Sequence, residues 1–303
     1  MDHRFPVAFH PSYALTLPAN HRFPMEKYEL LPQQLILEGT CNSNDFFIPQ
    51  PVDISIASRV HDTEYLNQLV QLNLSQKEIR SIGFPLSKAL IDREFLIAGG
   101  TLMGAEMALK SGIAFNIAGG THHAFRSRGE AFCLLNDQAI AAQYLLDQKK
   151  VKKILVLDLD VHQGNGTAEI FKDHPQVHTC SVHGAKNYPF QKEKSNTDIA
   201  LNDNTNDAEY LKIIIELLKE LNLVVQPDFI FYLSGVDVLS TDKLGRLALS
   251  IQGCKRRDAL VFEHCHKYGI PVQCSMGGGY SKDIKTIVEA HSNTYREAKR
   301  IFI

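Results

Sequence analysis

The chain has 303 residues, of which 44% are hydrophobic and 22% are charged, a composition typical of soluble globular proteins. Its net charge of −2 and pI near 6.7 exclude the basic surplus with which nucleic-acid-binding proteins hold phosphates. No stretch approaches the roughly 20 consecutive apolar residues of a membrane span.

The six cysteines form no CxxC pair, and several lie in apolar segments. This pattern indicates a reducing compartment in which cysteine serves as a small core residue. The first residues lack the cationic start and apolar core of a secretory signal peptide, so we expect a cytoplasmic location.

Short apolar segments rich in β-branched and aromatic residues alternate with segments of helical periodicity. The apolar residues of Asp207–Leu221 recur at steps of three and four, which predicts an amphipathic helix. Two more helices are predicted over Asn136–Lys150 and over Lys255–Tyr268, the second ending at Gly269. The predicted strands are Ala114–Ala118, Ile154–Asp160, Val177–Val182, Phe229–Ser234 and Pro271–Ser275.

The nearly continuous apolar character of these strands indicates that both of their faces are covered. The alternation therefore predicts an α/β fold in one domain, residues 1–303, with a largely parallel central sheet and helices on both faces. In such sheets ligands bind beyond the carboxyl ends of the strands. Polar residues that directly follow a strand are therefore the candidates for function.

The strongest functional pattern is the segment DLDVHQGNG, which begins at Asp158 inside a predicted strand. Asp158, Asp160 and His162 follow at two-residue steps, so an extended chain would direct all three to one side. Two carboxylates buried together repel each other and lose hydration, a cost that a bound cation removes. The segment therefore predicts a metal site, although acidic and amide residues before glycines also suit a turn or helix cap.

The segment GGTHHAF follows the first predicted strand and contains the adjacent histidines His122 and His123. Paired histidines after a glycine turn can bind a metal or carry protons, since imidazole titrates near neutral pH. A lone histidine is usually structural, but two adjacent ones at a strand end indicate a functional site.

Two further strand ends carry polar groups. Asp237 follows the fourth predicted strand and repeats the arrangement at Asp160, although an aspartate there can also cap a helix. After the last predicted strand, three glycines that include Gly278 let the backbone approach a ligand closely, and Tyr280 adds a hydroxyl donor. A phosphate-binding loop is an alternative, but no GK[ST] sequence or basic residue accompanies these glycines.

Together, four strand ends deliver polar groups to one edge of the predicted sheet. Asp160, His162 and Asp237 could supply three ligands to one ion and leave positions open for water and substrate, as a catalytic zinc site requires. Because two of these ligands are carboxylates, Fe²⁺, Co²⁺ or Mn²⁺ could compete with Zn²⁺.

These segments, in this order, resemble the histone deacetylase family within the arginase–deacetylase fold, from about residue 10 to residue 293. The paired histidines, DLDVHQGNG and GGGY carry the resemblance, and HQGNG, GTHHAF and GRLALS are most similar to the class IV branch and its bacterial relatives. The resemblance implies a zinc-dependent deacetylase or deacylase that hydrolyses the amide of Nε-acyl-lysine in proteins or peptides. Acetyl-lysine and long-chain acyl-lysine both remain open as substrates.

The resemblance also assigns roles by position. The zinc ligands would be Asp160, His162 and Asp237, and a potassium ion would lie at Asp158 and Ser181. The catalytic residues would be His122 and its partner Asp158, the general base His123 and its partner Asn165, and Tyr280. The acyl-lysine tunnel would be lined by Phe132 and Tyr188, with Gly278 beside the substrate.

One position departs from the family pattern. Class I members have an aspartate where this chain has Asn165. An amide does not stabilise an imidazolium as a carboxylate does, so we expect His123 to hold its proton less tightly, which suits a general base.

Two other functions fit the same residues. An acetylpolyamine amidohydrolase, or another small-molecule amidase, would use the same metal site behind a different entrance. A weakly catalytic acyl-lysine-binding module would keep the pocket, and Asn165 is the feature in its favour. An arginase-like binuclear enzyme would need more metal-binding acids, and a nucleotide-binding protein would need a basic residue near the three glycines.

Overall fold

One sheet of eight strands organises residues 5–303, the part of the chain that the computed structural model describes. In chain order the strands are β1 (Val7–Ala8), β2 (Phe46–Phe47), β3 (Ile113–Asn116), β4 (Ile154–Asp158), β5 (Val177–Gly184), β6 (Thr197–Leu201), β7 (Phe229–Leu233) and β8 (Val272–Ser275). They lie side by side in the order β2-β1-β3-β8-β7-β4-β5-β6, and every pairing is parallel.

Helices occupy most of the connections between these strands. Within residues 5–303 there are ten α-helices and two short 3-10 helices, Pro11–Tyr13 and Ser43–Asp45. The α-helices are α1 (Lys27–Leu37), α2 (Ile54–Ala57), α3 (Thr63–Val70), α4 (Gln76–Ile82), α5 (Lys88–Ser111), α6 (Asp137–Asp147), α7 (Asn165–Ile170), α8 (Asp207–Val224), α9 (Ile251–Tyr268) and α10 (Ile284–Phe302). The parallel sheet with helices on both faces confirms the predicted α/β fold.

The central strands have the burial that their apolar sequences predict. Every residue of β3, β4, β7 and β8 is buried, as in strands covered on both faces. β4 ends at Asp158, however, and not at Asp160. The side chain of Asp158 accepts the backbone N–H of Asp160, and that of Asp160 accepts the N–H of His162, so local turns replace the ladder of the sheet.

The predicted helices are present, with shifted ends. Asn136 is the N-cap of α6, and α9 begins at Ile251 rather than at Lys255 because Ser250 caps its first turn. The predicted end of α9 is confirmed, since Gly269 takes the left-handed conformation with a φ of 63°.

The sequence patterns do not predict β1, β2 or β6. β1 and β2 have two residues each, too few for a periodic pattern, and the first four residues of β6 alternate between half-buried and exposed at the edge of the sheet. The long helix α5 is also missed, because 14 of its 24 residues are buried and the polar face of an ordinary surface helix is reduced.

The neighbouring strands β3, β8, β7 and β4 end in register. Asp158 of β4 pairs with Leu233 of β7, which in turn pairs with Ser275 of β8. Ser275 pairs with Asn116, the last residue of β3. The segments that follow these four strands therefore leave the sheet at one level and meet at its carboxyl edge.

Arg257 of α9 is fully buried against the ends of β4 and β7. Its guanidinium donates to the carbonyl oxygens of Leu159 at 3.1 Å, Gly235 at 2.7 Å and Ser234 at 3.3 Å. The adjacent carboxylate of Asp258, 2.8 Å away, balances its charge. This one side chain therefore fixes the two backbone segments that lead into the polar edge of the sheet.

All six cysteines are buried and free, which fits their predicted use as small core residues. Burial raises the pKa of each thiol above its ordinary value, so the thiolate form is disfavoured throughout. Within residues 5–303, no helix is both long enough and apolar enough to cross a membrane.

Replacing Arg257 with methionine should lower the free energy of unfolding by roughly 3–5 kcal/mol, because Asp258 is left as an uncompensated buried charge. Urea denaturation followed by circular dichroism measures this change. Arg256→Met is the matched control, since this neighbouring side chain is 50% exposed and pairs with Glu263 at the surface. Its loss should cost at most about 1 kcal/mol, and equal costs for the two variants would contradict the role given to Arg257.

Candidate active site

Asp160, His162 and Asp237 converge at the carboxyl edge between β4 and β7. One ligand atom of each side chain lies within 4.8 Å of the other two, and all three residues are buried. His162 Nδ1 is 3.0 Å from Asp160 Oδ1 and 3.2 Å from Asp237 Oδ2. The structure thus brings the three predicted zinc ligands together, with one nitrogen and two carboxylate oxygens.

Burial makes this cluster electrostatically unfavourable without a further positive charge. Burial, and then the charge of Asp160, raise the pKa of Asp237 to about 7. Burial alone would lower the pKa of His162, but its hydrogen bonds to Asp160 and Asp237 outweigh that effect and raise it to about 10. A divalent cation would satisfy both carboxylates, and the donor set suits Zn²⁺, Fe²⁺ or Co²⁺.

Backbone N–H groups fix the orientation of both carboxylates. Val161 donates to Asp237 Oδ1 at 3.0 Å, and Gly278 donates to Asp160 Oδ2 at 2.8 Å. A Cβ at position 278 would lie 2.0 Å from Asp237 Oδ2, so only glycine lets the backbone come this close. Gly278, predicted to lie beside the substrate, also lines the inner cavity at the cluster.

The tandem histidines, His122 and His123, lie beside the cluster in the loop after β3. His122 Nδ1 is 2.7 Å from Asp158 Oδ2, and His123 Nδ1 is 2.6 Å from Asn165 Oδ1. Because an oxygen accepts in each case, we assign the proton to Nδ1 of both rings, which leaves Nε2 of a neutral ring as an acceptor. Asp158 and Asn165 therefore contact the histidines that the sequence predicts as their partners.

The two histidines hold protons differently. Burial lowers the pKa of His122, but the charge and hydrogen bond of Asp158 outweigh it and raise the pKa above its usual value. The pKa of His123 lies well below its usual value because of burial and then the nearby His122 and His162. Asn165 carries no charge to offset these effects, so the direction agrees with the expectation from the sequence.

Asp137, at the start of α6, anchors the loop that carries both histidines. Its carboxylate accepts hydrogen bonds from the hydroxyls of Thr101, Thr121 and Ser275 and from the backbone N–H groups of Gly120 and Thr121, at 2.6–3.3 Å. One buried carboxylate thereby joins α5, α6, β8 and the histidine loop. Sequence reasoning missed this residue, because an acid in the first turn of a helix is ordinary.

Tyr280 lines the inner and outer cavities together with His123 and His162. Its ring centre is 6.4 Å from that of His162, and its backbone N–H donates to Asp242 Oδ2 at 2.6 Å. Burial, followed by the charges of nearby carboxylates, raises the pKa of Tyr280 well above its usual value. The hydroxyl therefore keeps its proton at neutral pH and can act as a donor.

Two aromatic side chains flank the approach to the cluster. Phe132 and Tyr188 line an outer cavity of about 550 Å³ that reaches His123, His162 and Tyr280. The ring of Tyr188 is 5.0 Å from that of His123, and Phe132 also lines the inner cavity, which is about 40 Å³. Both predicted wall residues thus lie along the same passage.

Ser181 and Asp158, the two residues predicted to hold potassium, are paired on neighbouring strands β5 and β4. The Ser181 hydroxyl lies 3.0 Å from His183 Nδ1. One Asp158 oxygen bonds to His122 and the other accepts the backbone N–H of Asp160 at 3.1 Å. The two residues are therefore close in the sheet, each with a hydrogen-bond partner.

Lys27, at the start of α1, is another residue that sequence reasoning missed. Its ammonium is buried, donates to the carbonyl oxygen of Gly277 at 3.1 Å, and lies 5.7 Å from the centre of the Tyr280 ring. Burial lowers its pKa to about 8, a shift that Asp237 and Asp160 oppose. No sequence pattern marks it, since a helical lysine is usually solvated.

Known proteins resemble this chain over most of its length. The Histone deacetylase domain family matches residues 21–295. An uncharacterized protein of Picosynechococcus is 42% identical over 98% of this chain and 99% of its own length. The acetoin utilization protein AcuC of Bacillus subtilis is 28% identical over 97% of this chain and 81% of its own length.

The fold is shared with solved structures of the same kind. The crystal structure of an HDAC homolog complexed with SAHA has a TM-score of 0.85 and 26% identity, covering 98% of this chain and 84% of that chain. The arginase–deacetylase fold predicted from the motifs is thereby confirmed. Because the domain match spans residues 21–295 and the fold agrees over nearly the whole chain, we conclude that this protein belongs to the histone deacetylase family.

Proposed function

We propose that the protein is a metal-dependent deacetylase that hydrolyses the amide of Nε-acyl-lysine in proteins or peptides. The observation that carries the proposal is the convergence of Asp160, His162 and Asp237 beside a cavity that Asp160 and His162 line together with His123 and Tyr280. Amide hydrolysis by an activated water requires an ion site, a proton acceptor and a donor to the developing oxyanion within one small volume. This set of side chains supplies all three.

Asp160, His162 and Asp237 would hold one divalent ion, with Zn²⁺ as the first choice and Fe²⁺ or Co²⁺ as alternatives. Such an ion supplies polarisation of the acyl carbonyl and lowers the pKa of water. The close approach of three ligand atoms and the repulsion between two buried carboxylates support this assignment. Asp158 and Ser181 are the proposed potassium ligands, supported by their pairing across β4 and β5.

His123 acts as the general base in this proposal. Asn165 holds the proton at Nδ1, so Nε2 accepts a proton from water and later returns it to the leaving amine. His122 is paired with Asp158, which raises its pKa, and a positive charge on this ring would favour the negative charge that develops on the acyl oxygen. The protonated hydroxyl of Tyr280 donates to the same oxygen.

The two cavities support a lysine stem and a short acyl group. The outer cavity between Phe132 and Tyr188 suits an aliphatic chain that is buried up to its reacting amide. The inner cavity of about 40 Å³ has room for a few water-sized groups and not for a long hydrocarbon chain. We therefore propose acetyl-lysine, rather than long-chain acyl-lysine, as the preferred substrate.

Removing the metal should abolish release of acetate from an acetyl-lysine peptide, and stoichiometric Zn²⁺, Co²⁺ or Fe²⁺ should restore it.

Asp237→Asn should lose both bound metal and turnover, because only one charged carboxylate, that of Asp160, is then left to bind the ion. Elemental analysis and acetate release, measured on one preparation, check both. Asp53→Asn, which removes an exposed carboxylate, is the control. A chelated protein that works at the full rate, or a decanoyl peptide that reacts faster, would contradict the proposal.

Tyr280→Phe should bind metal normally and lose on the order of a hundredfold or more in kcat, because one donor to the oxyanion is removed. Steady-state kinetics on the acetyl-lysine peptide give the rate, and elemental analysis of the same sample gives the metal content. Turnover at the parent rate would show that the hydroxyl has no part in the reaction.

Asn165→Asp should move the acidic limb of the kcat/KM profile to higher pH by roughly one to three units. A carboxylate at this position stabilises the imidazolium of His123, so the base form is lost sooner as the pH falls. In the parent protein the low pKa of His123 keeps the base form present below its usual titration range. A pH–rate profile measures the shift. Asn73→Asp adds the same charge at an exposed position and should leave the limb where it is.

A further inference from the structure

Three cationic side chains lie at the mouth of the outer cavity. Arg22, Lys186 and Arg246 line this cavity together with Phe132 and Tyr188, and all three are exposed. We call these three cations the basic rim. Among the described residues, no aspartate or glutamate lines the cavity. The entrance therefore offers positive charge to whatever surrounds the reacting amide.

Arg22 is the least neutralised member of the basic rim. It has no ion-pair partner within residues 5–303, and its guanidinium lies 4.9 Å from the centre of the Phe132 ring. Stacking on a ring holds the group in place and leaves its charge and N–H donors available to an anion. The cation is thus positioned directly over one wall of the passage.

Lys186 and Arg246 share a single carboxylate. Lys186 Nζ is 3.6 Å and Arg246 Nη1 is 2.9 Å from the same oxygen, Asp203 Oδ2. One negative charge balances only one of these two cations, so this pair keeps one positive charge. With Arg22 added, the basic rim has two unbalanced charges.

The carboxylate of Glu130, close to the same passage, does not cancel this surplus. Glu130 Oε2 accepts the hydroxyl of Tyr188 at 2.6 Å, and Glu130 Oε1 accepts from Arg128 at 2.8 Å. Its charge is therefore balanced by Arg128, outside the basic rim. The field at the entrance stays positive.

We propose that the basic rim selects acyl-lysine with acidic flanking residues and disfavours polycationic amides, including acetylpolyamines and peptides rich in lysine and arginine. This inference rests on the proposed function, because flanking residues reach the rim only when the acyl-lysine occupies the passage. Like charges at an entrance slow association, and opposite charges speed it. Exposed pairs contribute modestly each, so we expect roughly a tenfold preference in kcat/KM at low salt.

The test uses three acetyl-lysine peptides of equal length in which the flanking residues are glutamate, glutamine or lysine, together with N-acetylspermidine. At 20 mM salt the metal-loaded protein should give kcat/KM values in the order glutamate, glutamine, lysine, with acetylspermidine at the lower end. At 500 mM salt the glutamate-to-lysine ratio should fall towards one, because the Debye length shrinks to a few ångströms. The triple variant Arg22→Gln, Lys186→Gln, Arg246→Gln should lower this ratio at least threefold at low salt.

A ratio of two substrates on one protein cancels any general loss of activity in the variant. Arg256→Gln, which removes a charge that does not line the cavity, should keep the parent ratio. Dissociation constants of the same peptides on Tyr280→Phe, in which turnover is slowed, measure the selection by charge at the binding step. A ratio near one at low salt, a preference for the lysine-flanked peptide, or an unchanged ratio in the triple variant would overturn the inference. Absence of cleavage with selective binding would instead overturn the proposed function.

Discussion

Two like charges, the buried carboxylates of Asp160 and Asp237, are brought together at one edge of the sheet, and much of the surrounding structure keeps them there. Such a pair is unfavourable unless every oxygen has a donor and a positive charge lies close. Backbone N–H groups of Val161 and Gly278 and the ring of His162 provide those contacts. The glycine at 278 is therefore an electrostatic requirement as well as a steric one, since a Cβ there would collide with Asp237 and displace the N–H that Asp160 accepts.

Two charged side chains from helices hold the frame around this cluster. Arg257 of α9 binds the carbonyl oxygens where β4 and β7 end, and Asp137 of α6 binds the hydroxyls and N–H groups of the histidine loop. The two residues act in complementary ways, since Arg257 donates to backbone carbonyl oxygens and Asp137 accepts from hydroxyls and backbone N–H groups. The helices therefore do more than cover the sheet, because their charged side chains bind backbone groups at the carboxyl edge of the sheet.

The features of this protein that could be predicted from the sequence are those that depend on a local pattern of residues. The apolar runs of β3, β4, β7 and β8 predict buried strands, and the polar residues after them predict the cluster and the tandem histidines. The non-sequential strand order, which places those four ends side by side, depends on long-range packing and has no local signal. Arg256 and Arg257 illustrate the limit, since adjacent identical residues on α9 have opposite environments, one at the surface and one fully buried. The burial of Lys27 could not be predicted either, because no local pattern distinguishes it from a lysine on the surface of a helix.

The five hydrogen bonds to Asp137 hold the loop of the tandem histidines by contacts that do not involve the entrance of the outer cavity. Because these bonds tie the loop to buried groups, the tandem histidines are already ordered before a ligand binds. The three residues of the basic rim, Arg22, Lys186 and Arg246, are by contrast exposed, and none of them takes part in these hydrogen bonds. Substitutions at these three outer residues therefore leave intact the hydrogen bonds that hold the histidine loop.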